Sequence, residues 1–204
     1  MTQADKDAAV IATLDKPGAG LPLGQQLLLR LYVKPFLAAK PGWEADVASL
    51  RKLNDKILDA VAGIPASDLS RRVLVPPQMG LENSSRYWSA AMTLEHMVIV
   101  GTGVRNIIVA LGNGTVPNIK PDTASVKPAG NGTPADALAS FTTFADSVMA
   151  DIDAKVTNRD STAKLDHPWF GAFTARQWHW ILPMHAVIHL KQLRAIAKGI
   201  KESA

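Results

Sequence analysis

The chain has 204 residues, 47% of them hydrophobic, which is enough for one domain with a real core, with or without a short appendage. Its 22 Lys and Arg and 18 Asp and Glu give a formal charge of +4, but the basic residues are scattered, which argues against nucleic-acid binding. The absence of cysteine excludes disulfides, thiolate ligands and a cysteine nucleophile, so any metal must be held by nitrogen and oxygen.

The first 40 residues are predicted to form a helical appendage to a main domain at residues 41–204. Within the appendage, the apolar stretch from Leu21 to Leu37 carries two basic residues and is too short to span a bilayer. It predicts a short amphipathic helix that docks on the main domain or on a second subunit, as in a homodimer; peripheral membrane attachment is the alternative. The start, MTQADKDAAV, lacks the pattern of a secretory signal, so we expect a cytoplasmic protein without integral membrane insertion.

Four longer segments have the apolar spacing of amphipathic helices, and Gly- and Pro-rich stretches separate them. In chain order they run from about Trp43 to Val61, from Ser89 to Leu111, from Thr133 through Ile152, and from Thr174 to about Lys198. The third and fourth begin with helix-capping patterns. No segment alternates with a period of two residues. The sequence therefore predicts an all-α fold, an antiparallel four-helix bundle with an extra N-terminal helical segment.

Two of the connections stand out by composition. Gly112 to Thr133 is rich in Gly, Pro, Asn and Ser, and loops of this length are uncommon in compact domains unless they are functional or disordered. We predict that it is a crossover link or a lid and the most mobile internal segment. Asp160 to Gly171 is shorter and more aromatic, so it is predicted to pack on the bundle.

The fourth helix carries two histidines on its predicted inward face, which is formed by Trp178, Leu182, His185, His189, Gln192 and Ile196. His185 and His189 are four residues apart, so their Cβ atoms lie about 5–6 Å apart on one face and both imidazoles can reach a single ion. Taken alone, the pair fits either a metal site or hydrogen-bonded core histidines. Pro183 is predicted to kink or restart the helix without disrupting the turn that carries the histidines.

The second helix adds a third histidine to the predicted core, on a stripe formed by Trp88, Met92, His96, Ile99, Gly103 and Ile107. Three core-facing histidines on two helices are hard to explain as packing. They predict a site for one divalent transition metal, with zinc or nickel preferred and iron as an alternative. Three protein ligands leave coordination positions open for water or substrate, which is typical of a catalytic rather than a structural site.

Several residues near this site are given structural interpretations. Glu95 precedes His96 and so lies about 100 degrees around the helix, where it is expected to face a neighbouring helix or solvent. His167 and His179 could line the site mouth, but loop packing is preferred for His167 and a helix-surface position for His179. Three tryptophans are expected in the core and the pocket wall, namely Trp88, Trp169 and Trp178.

Two of these segments resemble motifs of the DinB-like metalloprotein superfamily. Residues 88–96, WSAAMTLEH, are similar to its second-helix signature, and residues 185–192, HAVIHLKQ, to its fourth-helix HxxxH signature. HPWFG at 167–171, followed by Thr174 and Trp178, resembles an uncharacterised branch with an HPxFG loop before the last helix. The resemblance covers roughly 43–198. It implies a four-helix bundle whose metal ligands are His96, His185 and His189.

The resemblance also implies two kinds of function. Superfamily members with known activity are often transferases that use glutathione, mycothiol or bacillithiol, and others are hydrolases or isomerases. The first hypothesis is a metal-dependent enzyme that activates a low-molecular-weight thiol or water to act on a small-molecule substrate. The second is a nonenzymatic metal- or ligand-binding bundle, dimeric through the Leu21 to Leu37 helix, whose metal only ties the second and fourth helices together. An accessible cleft over the histidines favours the first, whereas a fourth protein ligand or a sealed cavity favours the second.

Overall fold

The computed structural model describes residues 2–36 and 42–203, and it is mostly helical (62%). The α-helices among these residues are α1 (Gln3–Ala12), α2 (Leu23–Leu28), α3 (Lys34–Phe36), α4 (Trp43–Ala62), α5 (Ala90–Gly112), α6 (Pro134–Lys155) and α7 (Ala175–Glu202). A π-helical turn, Leu29–Val33, joins α2 to α3. The long helices α4 to α7 form the bundle: α7 packs against α4 and α5, and α5 packs against α6. The predicted all-α bundle is confirmed. Its helices are not all antiparallel to their neighbours, as the sequence predicted: Gly101 faces Phe144, Arg105 pairs with Asp151 and Gly112 faces Val156, so α5 and α6 run parallel and the long connection between them crosses the bundle.

Helix α7 extends further than the sequence predicted. It passes through Pro183 without restarting and ends at Glu202 rather than near Lys198. The residue predicted to end the helix, Gly199, lies inside it. A Cβ at this position would lie 2.5 Å from Cγ1 of Val73. Close packing therefore accounts for this glycine. The predicted inward stripe is confirmed: it is buried apart from half-buried His185.

Helix α5 is buried on a broader and partly different face than predicted. Ile99, assigned to the inward stripe, is 36% exposed, because the helix lies between α6 and α7 and its buried surface is divided between them. Gly101 faces α6, where a Cβ would lie 2.1 Å from Cζ of Phe144. This packing also accounts for the apolar composition of Ala90–Gly112, which by length and composition could cross a membrane.

Two short antiparallel hairpins accompany the helices. Strands β1 (Val73–Leu74) and β2 (Tyr87–Trp88) form one, and β3 (Lys164–His167) and β4 (Gly171–Thr174) form the other. Strands of two and four residues are too short for alternation to be visible in the sequence, so neither was predicted. The predicted packing of the aromatic connection is confirmed, since Leu165 and Phe170 are buried.

The N-terminal segment docks on the β3–β4 hairpin. Arg30 Nε donates a hydrogen bond to the carbonyl of Trp169 at 3.0 Å, and Lys34 Nζ donates to the carbonyl of Phe170 at 2.9 Å. Leu29 is buried in the core. The predicted docking on the main domain is therefore observed, and docking on a second subunit stays a prediction. The predicted end of this segment, at residue 37, lies outside the described residues, and the domain boundary at residue 40 stays a proposal.

The long connection between α5 and α6 is held against the bundle by Glu95. One carboxylate oxygen of Glu95 accepts from the N–H of Ala129 at 3.0 Å, and the other from the N–H of Gly130 at 3.1 Å. Glu95 thus faces this loop rather than the neighbouring helix or the solvent that its position on the helix predicted. No residue from 113 to 133 is fully buried. The high mobility of the connection stays a prediction, which amide hydrogen exchange can measure.

Candidate metal centre

Helices α5 and α7 bring the three predicted histidines together. His96 lies in the second turn of α5, and His185 and His189 lie on consecutive turns of α7. Each offers one ring nitrogen, and the three nitrogens lie within 4.8 Å of one another. The Nε2 atoms of His96 and His185 are 3.2 Å apart. The sequence therefore predicted the correct cluster, whereas metal binding by it stays a prediction.

A backbone carbonyl fixes the orientation of the His96 ring. Nδ1 of His96 lies 2.8 Å from the carbonyl oxygen of Val126, in the long α5–α6 connection. Because a carbonyl can only accept, Nδ1 must carry the proton and donate it. In the neutral ring the lone pair is then on Nε2, the nitrogen that faces His185. The long connection thus holds His96 in the tautomer whose Nε2 could bind an ion.

The side chain of Gln192 fixes the His189 ring in the same way. Nε2 of Gln192 donates to the carbonyl of Ser85 at 2.8 Å, so its Oε1 must be the atom 2.8 Å from Nδ1 of His189. Nδ1 of His189 therefore donates and Nε2 is left with the lone pair. Gln192 is fully buried. Its place on the inward stripe of the helix was the only sequence signal for this role.

Burial keeps all three imidazoles neutral at physiological pH. It lowers the pKa of His96 from 6.5 to about 4, partly opposed by the hydrogen bond to Val126. Burial also lowers the pKa values of His185 and His189 well below 6.5, and the neighbouring imidazoles lower them further. Neutral imidazole is the form that binds metal ions, so no proton has to leave before an ion can bind at neutral pH.

A cavity of about 380 Å³ lies over the cluster and touches all three histidines. Among the described residues, the group of possible ligands contains no fourth His, Asp or Glu. Trp169 and Trp178 line the cavity, and Trp88 is buried beside the His96 ring, so the predicted wall and core positions of the tryptophans are confirmed. The histidines thus face a cavity that a small molecule could enter.

A buried ion pair that was not predicted lies beside the cluster. Lys127 Nζ pairs with Glu82 and also donates to Oγ of Ser85 at 2.8 Å. The Glu82 side chain is only 4% exposed, and its Oε1 has no hydrogen-bond partner among the described residues. Both residues line the cavity. Glu82 and Lys127 lie in irregular segments, where no periodicity indicates which side chains point inward.

His167 packs in the β3–β4 hairpin, as predicted, and it also lines the cavity. Its ring contacts Phe170 and Trp178, with centroids 4.9 and 5.0 Å apart. Its Nδ1 accepts from the N–H of Trp169 at 3.1 Å. Burial lowers the pKa of His167 to about 3, so the ring is neutral. His167 therefore both packs within its loop and lines the cavity over the cluster, which are the two positions predicted for it.

The predicted surface position of His179 is wrong. The residue is fully buried, its Nδ1 lies 3.3 Å from Oδ2 of Asp46, and its ring stacks on Trp43 at a centroid distance of 3.9 Å. The physical reason is that α7 packs against α4 as well as α5, so a second face of the helix is buried. His179 belongs to that second interface and not to the three-histidine cluster.

The fold and the site define a class: helical-bundle proteins in which two helices present three histidines that could hold a metal ion. A family model described as the DinB superfamily matches residues 50–193, and the chain belongs to this superfamily. No curated protein and no solved structure shows a significant match.

Proposed function

We propose that the chain is a metal-dependent enzyme whose single divalent transition ion is bound by His96, His185 and His189. Zinc or nickel is preferred, with iron as the alternative. The reaction is transfer or hydrolysis on a small-molecule substrate, with a low-molecular-weight thiol or water as the nucleophile. The observation that carries the proposal is the convergence of three neutral imidazole nitrogens within 4.8 Å beneath a cavity.

The donor set fits such an ion. Ligand nitrogens about 2.0–2.1 Å from a tetrahedral ion lie roughly 3.3–3.4 Å from one another. The Nε2 atoms of His96 and His185 are already 3.2 Å apart, and the remaining separations stay within 4.8 Å. Small rotations of the side chains would bring all three to that spacing. The hydrogen bonds to Val126 and Gln192 keep the Nδ1 atoms of His96 and His189 occupied, so both rings offer Nε2.

An ion in an open three-histidine site acts as a Lewis acid that lowers the pKa of a water or thiol. The chain contributes the surroundings. The apolar cavity wall limits the access of bulk water, which strengthens electrostatic interactions inside. The Lys127–Glu82 pair places two opposite charges beside the histidines. We assign no residue as a proton donor or acceptor in the reaction.

The nonenzymatic alternative receives less support. A metal that only ties α5 to α7 would be expected to have a closed ligand set. Among the described residues the cluster has three candidate ligands and a cavity above them. The cytoplasmic location and a homodimer formed through the N-terminal segment that begins at Leu21 remain part of the proposal.

The metal site is tested by metal analysis of protein purified without an affinity tag. We expect about one ion per chain, and none in a His185→Ala/His189→Ala double variant. His167→Asn is the matched control, since it removes another cavity histidine outside the cluster. His179→Ala should also keep the stoichiometry, because His179 faces α4 and not the cluster. The stability of this variant should fall, because the contacts with Trp43 and Asp46 are lost. Undiminished binding by the double variant would refute the site.

The catalytic part of the proposal needs a separate measurement. Metal-loaded protein is offered low-molecular-weight thiols together with a panel of electrophiles, and product formation is compared before and after removal of the metal. We expect turnover that requires the ion. Turnover that survives complete metal removal would exclude metal-activated thiol or water chemistry while leaving the family assignment intact.

A further inference from the structure

The cavity over the histidines is elongated along the bundle. On α5 it is lined from His96 to Ile107, a separation of eleven residues, which at 1.5 Å per residue is roughly 16 Å. On α7 it is lined from His189 back to Trp178, also eleven residues apart. Because His96 and His189 lie in one cluster, the two linings run side by side away from it. The cavity is thus a slot with the three histidines at one end.

The walls of the slot beyond the histidines are largely apolar. They are formed by aliphatic and aromatic side chains from both helices and from the connections over them, among them Val100, Val104, Ile107, Ile119, Trp178 and Ile181. Glu82, which is buried, and Lys127, which is mostly buried, pair with each other near the histidine end, where Lys127 follows the Val126 carbonyl that binds His96. Two further charged residues that line the slot, Lys120 and Asp122, come from the α5–α6 connection. His167, beside Trp178, is a neutral imidazole.

We propose that this slot binds an elongated organic molecule with an apolar chain and a single metal-coordinating head group. The head group of this ligand lies at the histidines, and its apolar chain lies along α5 towards Ile107. This inference rests on the proposed metal site and adds the substrate class. A strongly polar ligand of the same length would lose its hydration against the apolar walls that α5 and α7 form beyond the histidines, with polar partners only on the side of the α5–α6 connection. Each methylene that leaves water strengthens binding about fourfold.

The orphaned oxygen of Glu82 gives the head group a second feature. Oε1 is buried, in a residue that lines the slot, and has no partner among the described residues. A buried acceptor without a donor is costly, so a head group that carries an N–H or O–H beside its coordinating oxygen is favoured. A hydroxamate has this combination and is therefore a suitable probe.

The test is isothermal titration of the zinc-loaded full chain with straight-chain alkyl hydroxamates, from the two-carbon to the eight-carbon compound. We expect affinity to rise with each added methylene, by up to about fourfold, and by at least about 100-fold over the series. Affinity that is independent of chain length would overturn the proposal. Zinc binding is titrated first, so failure of the metal site itself is recognised separately.

Variants at two glycine positions test where the alkyl chain of the ligand lies. A Cβ at Gly103, which lines the slot, would have no atom within 4 Å, so Gly103→Leu should place its side chain in the slot. We expect zinc binding and two-carbon hydroxamate affinity to stay within threefold, and eight-carbon affinity to fall at least tenfold. Gly24→Leu is the matched control, because a Cβ there also meets nothing within 4 Å but the residue is outside the slot. Equal affinities for both variants would refute the location.

A second pair of variants tests the loop side of the slot without disturbing the core. Ile119 and Val116 lie in the same connection and are 55% and 53% exposed, but only Ile119 lines the slot. Ile119→Ser should weaken the eight-carbon compound by about three- to tenfold and leave the two-carbon compound unchanged. Val116→Ser should affect neither. Equal effects of the two substitutions would contradict the proposed placement.

Discussion

Replacement of Gln192 by methionine tests whether the hydrogen bonds around the histidines prepare them for a metal. The fully buried Gln192 side chain accepts from Nδ1 of His189 and donates to the carbonyl of Ser85. Methionine has a similar shape but makes neither bond. His189 would then be free to rotate or to move its proton to Nε2, the nitrogen that faces the cluster.

The size of the effect follows from the two lost contacts. Removal of an outer hydrogen-bond partner of a ligating histidine typically costs 10- to 100-fold in metal affinity, and we expect a loss of about this size. The free energy of unfolding of the metal-free protein should fall by about 2–4 kcal/mol, because two hydrogen bonds are lost and buried partners at His189 and Ser85 are left unpaired. The stoichiometry should remain one ion per chain.

Competition titration against a chromophoric chelator measures the affinity, and chemical denaturation with chelator present measures the stability. The control is Gln192→Glu, which keeps an acceptor for Nδ1 of His189 but loses the donor to Ser85. It should therefore lose stability while keeping metal affinity within about threefold of the original chain. A methionine variant that folds and binds metal as tightly as the original would refute the role of this hydrogen bond.

Two further predictions concern stability. In the unfolded chain these histidines take up protons below pH 6.5, whereas in the folded protein burial lowers the pKa of His96 to about 4 and that of His167 to about 3. The free energy of unfolding of the metal-free protein should therefore fall by on the order of 1.4 kcal/mol per pH unit for each of the two as pH falls from 6.5 to 4. Chemical denaturation between pH 7.5 and 4.5 measures this, and a flat profile would contradict it. Gly103→Ala should stabilise the protein by about 1 kcal/mol, because a Cβ there meets nothing and alanine favours the helix. Gly101→Ala should destabilise it by about 1–3 kcal/mol, because its Cβ would overpack against Phe144. Thermal unfolding measures both, and midpoint temperatures that shift in the same direction would contradict the prediction.

The helices and the histidine cluster could be predicted because their signals are local. Apolar spacing, capping residues and turn residues lie within a few positions of the helix they define. His185 and His189 share a face whatever the rest of the fold does. Bringing His96 to them required only that both helices face one core. Helices α4, α5 and α7 accordingly begin within one residue of their predicted starts.

Two of the wrong predictions concern helices that bury more than one face. A single inward stripe describes a helix with one neighbour, but α7 contacts α4 and α5, and α5 contacts α6 and α7. His179 was therefore placed on the surface, although it lies against Trp43 and Asp46. Ile99 was placed in the core, although it is 36% exposed. The sequence does not state how many neighbours a helix has.

The groups that surround the histidines come from segments where no periodic pattern exists. Ser85 and Val126 act through backbone carbonyls, which any residue provides, so no side-chain signal could reveal them. Glu82 and Lys127 form a pair 45 positions apart in the chain. Such contacts depend on where two irregular connections meet in space, and only the folded structure shows this.

The long α5–α6 connection joins these observations. Its Val126 carbonyl fixes the tautomer of His96, and the next residue, Lys127, binds Ser85, whose carbonyl holds the Gln192 amide that fixes His189. One dipeptide of this connection is therefore linked to histidines of the cluster on both helices. Glu95 anchors the same connection two and three residues after Lys127, by accepting from the N–H groups of Ala129 and Gly130. The stretch that composition marked as least able to pack thus supplies outer partners of the site, which explains why so long a connection belongs to a compact bundle.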